Sequence, residues 1–419
     1  MSKFIIQGGN RLSGSIRVNG AKNAALKIIP AALLSNQQIT IHNMPQIEDI
    51  DRSLEIFQDL GGSVEKNKRT YTLKIDSIKK NLIKPSLANK LRASIMFVGP
   101  MLARLGEVKF PHPGGCVIGA GIRPIDFFLE GFQAMGANVE IANSYYHIKA
   151  KKLKGCKYFF PRVSVTGTES LMMTAVLAEG VTILNNCAME PEVTALAEYL
   201  NEQGAKITGA GTPTITITGV KTLRAGEYHI IPDRIEAGTL AILAVATKSN
   251  LKINNCIPEH LDALLNVFDK IGVKYVIGKN WIEIKQSKGI DALSIKTHEY
   301  PGFPTDLQSP YTVLMTQANG SSIIHETIYD RRLLFTDMLN QMGANIIMAD
   351  PHRVVINGPA KLVGRRLTSP DLRAGISMVI AGLIAKGTTE IDNIYQIDRG
   401  YENIDKRLKR LGADIKRVN

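Results

Sequence analysis

The 419-residue chain is short of the features that mark several large classes of protein, and each shortage excludes a reading. Its four cysteines, Cys116, Cys156, Cys187 and Cys256, show no CxxC spacing, so they spell neither a zinc ligand set nor a disulfide framework. No apolar run approaches the roughly 20 residues of a membrane helix. The one early run, 28–34, is short and follows Lys22 and Lys27, unlike a signal peptide. There is no Walker loop, no dinucleotide fingerprint and no metal cluster, so a phosphorylated substrate would have to be held by side chains. A reducing, cytoplasmic location away from the membrane is the expectation.

What is present is ordinary for a globular protein: 44% hydrophobic and 21% charged residues, with length for two domains that each bury a core. The formal charge of +13 points to anionic partners, whether nucleic acid, membrane or phosphorylated metabolites. The basic residues are scattered rather than bunched, and the chain carries no recognisable nucleic-acid module.

Internal similarity is the strongest signal. Six times an amphipathic segment closes on a glycine step and turns into a strand-like run: QDLGGSV, QAMGANV, NEQGAKI, DKIGVKY, NQMGANI and KRLGADI. The glycines are Gly61, Gly136, Gly204, Gly272, Gly343 and Gly412, at intervals of 75, 68, 68, 71 and 69. A residue just past a helix often needs positive φ, which glycine adopts without a Cβ penalty. Each unit also has a second helix upstream, as in NAALKIIPAALLS, ANKLRASIMFVGPMLARLG and RIEAGTLAILAVATK, apolar almost all round and therefore expected to be buried. Runs such as VTILNN, LKINN, SSIIHE and TTEIDN alternate as strands do. These patterns predict an α/β protein of six similar units, three per domain. The domains fall at 22–229 and at 1–21 plus 230–419, with FIIQGG completing the last unit.

The longest interval holds PHPGGCVIGAGIRP, residues 111–124, inserted between the strand EVKF and the helix RPIDFFLEGF. Elsewhere NNCAMEPE or NNCIPEH suffices at this point, and Cys187 and Cys256 in those turns read as packed strand ends. A Gly/Pro loop added to a repeating scaffold is more often a lid or binding loop than filler, which sets Cys116 apart.

Three buried helices of the second half open alike, with PDRIEAG, PTDLQSP and SPDLRAG, which places Asp233, Asp306 and Asp371 as N-caps. Arg234 and Arg373 follow within two residues; Lys22 and Asn23 open the first buried helix, and Arg92 lies early in the second. Arg332 and Arg399 sit at equivalent points before surface helices. Any one of these arginines taken alone reads as a solvated surface charge. Grouped at helix N-termini they suit an anion. Cations beside a thiol stabilise its thiolate, a carboxylate such as Asp306 can take a proton from a hydroxyl, and several arginines can grip phosphate and carboxylate by bidentate pairs.

From FIIQGGNRLSGSIRVNGAKNAAL to YQIDRGYENIDKRLKRLGADI the chain resembles the UDP-N-acetylglucosamine enolpyruvyl transferase family, on GAKNAALKI, LRASIMFVGPMLAR, PGGCVIG, RPIDFF, IPDRIEAGT, PTDLQSP, SPDLRAG and QIDRGYE. The resemblance implies two inside-out α/β barrels of three units each, with the active site in the interdomain cleft and no metal or organic cofactor. It implies transfer of the enolpyruvyl group of phosphoenolpyruvate to the 3′-hydroxyl of UDP-N-acetylglucosamine, with release of phosphate, at the first committed step of peptidoglycan synthesis. By the same resemblance Cys116 is the proton-donating thiol and the site of a covalent adduct, and Asp306 is the base near the sugar hydroxyl. Lys22, Asn23, Arg123 and Arg399 would hold phosphoenolpyruvate, with Lys22 and Arg399 counted among the catalytic groups. Arg92, Arg123, Pro124, Ile125, Asp126, Phe127, Arg162, Val163, Ser164, Val165, Asp306 and Ile328 would contact the sugar nucleotide. The chain departs from the family pattern in a Cys116-to-Arg123 spacing two residues longer than usual, in Phe128 where histidine is common and in Arg162 where lysine is common. The sister enzyme 5-enolpyruvylshikimate-3-phosphate synthase shares the fold, but PGGC with its thiol belongs to the sugar-nucleotide branch.

Overall fold

The computed structural model describes residues 2–111, 125–142 and 145–418. Cys116, Arg123 and Pro124 therefore lie outside the described residues. The described residues divide into two compact units: a terminal unit of those up to Asn19 and from Pro232 onward, and a middle unit of those between Gly20 and Ile231. Each has its own hydrophobic core.

Among the described residues the strands form five four-stranded sheets and one three-stranded sheet, three sheets in each unit. The unit that starts with the helix Arg234–Ala246 shows the pattern. Strand Asn250–Asn254 follows it, then helix Asp262–Lys270, then the hairpin Lys274–Gly278 and Trp281–Lys285. Trp281–Lys285 runs antiparallel to Asn250–Asn254, whose other edge takes Ser13–Arg17 in parallel. Four more sheets repeat this plan, with the parallel partner drawn from elsewhere in the same unit. In the last of them Lys3–Gln7 lies between Thr388–Asp392 and Asp414–Val418 and pairs with both antiparallel. The three-stranded exception, Glu107–Pro111 with Asn138–Ala142 and Tyr145–Lys149, belongs to the segment that carries the long glycine interval. There a single parallel bridge from Leu82 to Lys109 stands where a fourth strand would be.

Two backbone devices recur because the repeat needs them. All six step glycines have positive φ, from 79° to 106°, where a Cβ would be strained. At four strand ends an asparagine takes the left-handed conformation, namely Asn43, Asn186, Asn255 and Asn393 with φ of 56–58°. Each sends its side-chain amide to a carbonyl beyond the parallel neighbour strand: Ile230, Phe160, Val18 and Ser369, at 2.8–2.9 Å. The NN and DN endings in the sequence are thus clasps between parallel strands.

Residues apolar on every side make the central helices. In the terminal unit Arg234–Ala246, Thr305–Met315 and Leu372–Ile384 pack against one another and are buried almost throughout. A Cβ at Gly238 would lie 2.6 Å from a Leu307 methyl, so glycine is what lets the first two helices approach. In the middle unit Val98–Leu105 packs on Val165–Ala175 in the same way. The single helix expected over ANKLRASIMFVGPMLARLG is corrected: a one-turn helix, Pro85–Ala88, ends as the segment begins, a 3₁₀ stretch, Arg92–Phe97, follows, and only then comes the α-helix Val98–Leu105. Pro100 has no N–H to offer the carbonyl four residues back, and tighter winding precedes it.

Candidate active site

Asp306 is the best-defined candidate, and its placement corrects one expectation. Asp233 and Asp371 cap their helices as anticipated: each accepts two backbone N–H bonds, from Ile235 and Glu236 and from Arg373 and Ala374, at 2.8–3.0 Å. Asp306 does not cap. Pro304 holds that position and Asp306 lies inside the first turn, where a negative charge suits the helix dipole but the carboxylate points to other partners. Arg332 Nη2 donates to its Oδ1 and Arg373 Nη2 to its Oδ2, each at 2.8 Å. Both arginines are buried, at 4% and 6% exposure, so neither is the solvated surface charge that it resembles when read alone. The Asp306 side chain stays 25% open.

Each guanidinium is anchored in turn. Arg332 Nη1 donates to Thr305 Oγ1 (2.7 Å), whose hydroxyl donates to Glu326 Oε2 (2.8 Å). Glu326 Oε1 accepts from the Ile328 N–H, the Tyr329 N–H and the Thr297 hydroxyl at 2.8–3.2 Å. Ile328, expected at the sugar nucleotide, is thereby fixed through its backbone to the same network. Arg373 Nη1 donates to Tyr401 Oη (3.1 Å), with the guanidinium 5.7 Å from that ring. Tyr401 meets Thr239 Oγ1 at 3.0 Å, and since the Thr239 hydroxyl already donates to the Ile235 carbonyl, tyrosine is the donor. Burial works to raise the Asp306 pKa, but the charges and hydrogen bonds of Arg373 and Arg332 override it and hold the carboxyl far below the usual range. Both arginines are raised, burial being outweighed by Asp306.

Sequence reasoning missed Glu326, Tyr401 and Thr239. The signal for Glu326 was available: it occupies the strand-end position that asparagine fills at four other places. Arg399, at the end of the turn Tyr395–Asp398, is buried and donates to Gln396 Oε1 at 3.1 Å. Its neighbour Asp398 is held by both Nη atoms of Arg417, at 2.8 and 2.7 Å.

In the middle unit Lys22 opens the helix Lys22–Ala31 with its ammonium 2.9 Å from Asp49 Oδ2, and Asn23 beside it is half-buried. Arg92 opens the 3₁₀ stretch, and its charge reaches Tyr146, as does that of Asp126. The structure brings Phe127 and Arg162 together, the guanidinium 4.9 Å above the ring. Ile125 and Phe128 are buried, so Phe128 serves the core. Ser164 caps the helix Val165–Ala175 by accepting the Gly167 N–H at 3.1 Å, and half-buried Val163 precedes it. The described thiols carry no activation. Cys187 and Cys256 are buried, their Sγ atoms facing the Leu184 and Ile253 carbonyls, and burial pushes both up to about 11; burial also raises Cys156. Among the described residues no group of three or more His, Cys, Asp or Glu is placed to hold a metal, and no helix is long and apolar enough to cross a membrane.

The profile of the EPSP synthase (3-phosphoshikimate 1-carboxyvinyltransferase) family matches residues 6–408. The chain is 44% identical over 418 residues to a UDP-N-acetylglucosamine 1-carboxyvinyltransferase of Desulforapulum autotrophicum, with all of both chains covered. It is likewise 44% identical over 420 residues, again with full coverage of both, to UDP-N-acetylglucosamine 1-carboxyvinyltransferase 3 of Caldanaerobacter subterraneus subsp. tengcongensis. In fold it is similar to the enolpyruvyl transferase NikO from Streptomyces tendae, with a TM-score of 0.91 at 23% identity over 100% of this chain and 99% of that one. An EPSP synthase from Acinetobacter baumannii follows with a TM-score of 0.76 at 18% identity, over the whole of both chains.

Proposed function

From its membership of the UDP-N-acetylglucosamine 1-carboxyvinyltransferase family, to which this chain belongs, we propose how its residues carry the reaction. The enzyme transfers the enolpyruvyl group of phosphoenolpyruvate to the 3′-hydroxyl of UDP-N-acetylglucosamine and releases phosphate, in peptidoglycan synthesis. The observation that carries this is end-to-end identity of 44% to enzymes of that name. In the first step the sugar oxygen bonds to C-2 of the enol while C-3 gains a proton; in the second, C-3 loses a proton and phosphate departs.

Asp306 is assigned as the base for the sugar hydroxyl, on the strength of its fixed and partly open carboxylate. Cys116 delivers the proton to C-3 and forms the covalent adduct with phosphoenolpyruvate. Lys22, Asn23, Arg123 and Arg399 hold the phosphoenolpyruvate anion. Arg92, Arg123, Pro124, Ile125, Asp126, Phe127, Arg162, Val163, Ser164, Val165, Asp306 and Ile328 form the sugar-nucleotide site; the stacked Phe127 and Arg162 offer an aromatic face and a cation side by side. The buried central helices with sheets around them support reading 22–229 and 1–21 plus 230–419 as two inside-out α/β barrels. We place the protein in the cytoplasm, with small anionic substrates and neither nucleic acid nor membrane as partner.

The test is a phosphate-release assay with phosphoenolpyruvate. Release is expected only when UDP-N-acetylglucosamine is supplied, and release with shikimate 3-phosphate instead would move the assignment to the sister enzyme. The epoxide phosphonate fosfomycin is expected to alkylate Cys116; an adduct found by mass spectrometry on Cys187 would remove Cys116 from its role.

A further inference from the structure

The proposed base is held in a way that a base ordinarily is not. Each Asp306 oxygen receives a guanidinium hydrogen bond at 2.8 Å, which leaves lone pairs for a substrate hydroxyl while two cations oppose any proton that arrives. Arg332 comes from the loop before the helix Thr336–Gln341, and Arg373 from the first turn of Leu372–Ile384. The other charged and titratable groups that face this cluster are Glu326, Asp371, Asp233 and Tyr401. The anchors reach all three central helices of the terminal unit: Thr305 and Asp306 on one, Arg373 on the second and Thr239 on the third. Glu326, standing where the repeat otherwise places an asparagine clasp, gives its carboxylate to the Thr305 end of the chain.

We propose that Arg332 and Arg373 are positioning residues for the transfer reaction: together they aim the Asp306 carboxylate and keep it ionised, so that it orients and polarises the 3′-hydroxyl and holds the transferred proton only briefly. This rests on the function proposed above. In the step concerned, the hydroxyl proton passes to an Asp306 oxygen as the sugar oxygen bonds to C-2, and the proton leaves for solvent as the clamp restores the carboxylate.

The experiment is the pH profile of kcat/KM for UDP-N-acetylglucosamine, read by phosphate release from the full chain. Wild-type activity is established first, since its absence would overturn the proposed function rather than the clamp. Replacing either arginine by a neutral side chain, Arg373→Gln or Arg332→Gln, is expected to move the acid limb up by about one pH unit or more, because one of the two cations that suppress protonation is gone. Arg373→Lys and Arg332→Lys keep the charge but lose the planar fork. They are expected to leave the limb in place while kcat falls about tenfold or more. If both glutamine profiles superimpose on wild type, or both lysine variants keep full kcat, the clamp has no positioning role. Where a glutamine variant does not fold, the lysine pair decides alone.

Discussion

Each unit sets a carboxylate against buried cations, and the two carboxylates fare in opposite ways. In the terminal unit Asp306 meets two guanidinium groups whose remaining donors are themselves tied down, and it is held as an anion. In the middle unit Glu169, fully buried in the helix Val165–Ala175, meets one ammonium, Lys27 Nζ at 3.2 Å. Burial pushes Glu169 up to about 7 against the pull of Lys27, with the charges of Glu192 and Glu190 adding to the rise. Desolvation is the leading influence on both. What decides the sign is the number of cations and the hydrogen bonds that fix them.

The largest effect should come from Asp306→Asn. Proton handling is lost, so activity in the phosphate-release assay should fall by about two to four orders of magnitude. Two buried guanidinium groups lose their anion, and denaturant unfolding should show a loss of about 3 kcal/mol.

The second effect is a pH dependence of opposite sign in the two units. A carboxyl raised in the folded state stabilises fully below its unfolded pKa, and that contribution is lost as pH rises through the folded value. Glu169 should therefore cost the middle unit at most ~3 kcal/mol between mildly acidic pH and pH 8. Asp306, lowered on folding, contributes above its unfolded value and loses that contribution only as pH falls through the acid range. Amide exchange across the helix Val165–Ala175 should quicken from pH 5 to pH 8 beyond the intrinsic rate, and Glu169→Gln should abolish the excess. An unchanged excess in that variant would break the contrast.

A third change probes the proposed nucleotide site without touching charge. Ser164→Ala removes the cap of the same helix and should cost about 1 kcal/mol in unfolding experiments. The smallest effect tests whether the backbones are as alike as the electrostatics are different. Gly272→Ala in the terminal unit has open space for the new Cβ, and Gly136→Ala in the middle unit meets only the Lys152 carbonyl at 3.9 Å. With φ of 79° and 91°, each should cost about 1 kcal/mol and the two should agree closely.

This contrast also marks how far the sequence could be read. The step glycines, the strand runs and the all-round apolar helices were legible because their causes are local: a φ value, a period of two, a face with no polar side. Asp233 and Asp371 were legible as caps for the same reason. Asp306 looked identical and is not a cap, because its partners lie 26 and 67 residues along the chain and no local pattern encodes them. The 3₁₀ stretch at Arg92–Phe97 was hidden by a hydrophobic pattern that a tighter helix satisfies equally well. Lys27 was a warning left unread, since a charge in the middle of a buried helix requires a buried partner, and Glu169 in TESLMM is that partner. Cys116, the residue the sequence singled out most strongly, lies with Arg123 and Pro124 outside the described residues.

The placement of Lys3–Gln7 between the two last strands of the chain bears on how this protein is made. During synthesis the middle unit has everything it needs once residue 231 has left the ribosome, and folding N-terminal to C-terminal would favour it. The opening strand must wait, its edges incompletely paired, until Asp414–Val418 emerges more than four hundred residues later. A nascent chain released early would thus combine one finished unit with a stranded leader ready to pair with other edges, a natural target for a holding chaperone.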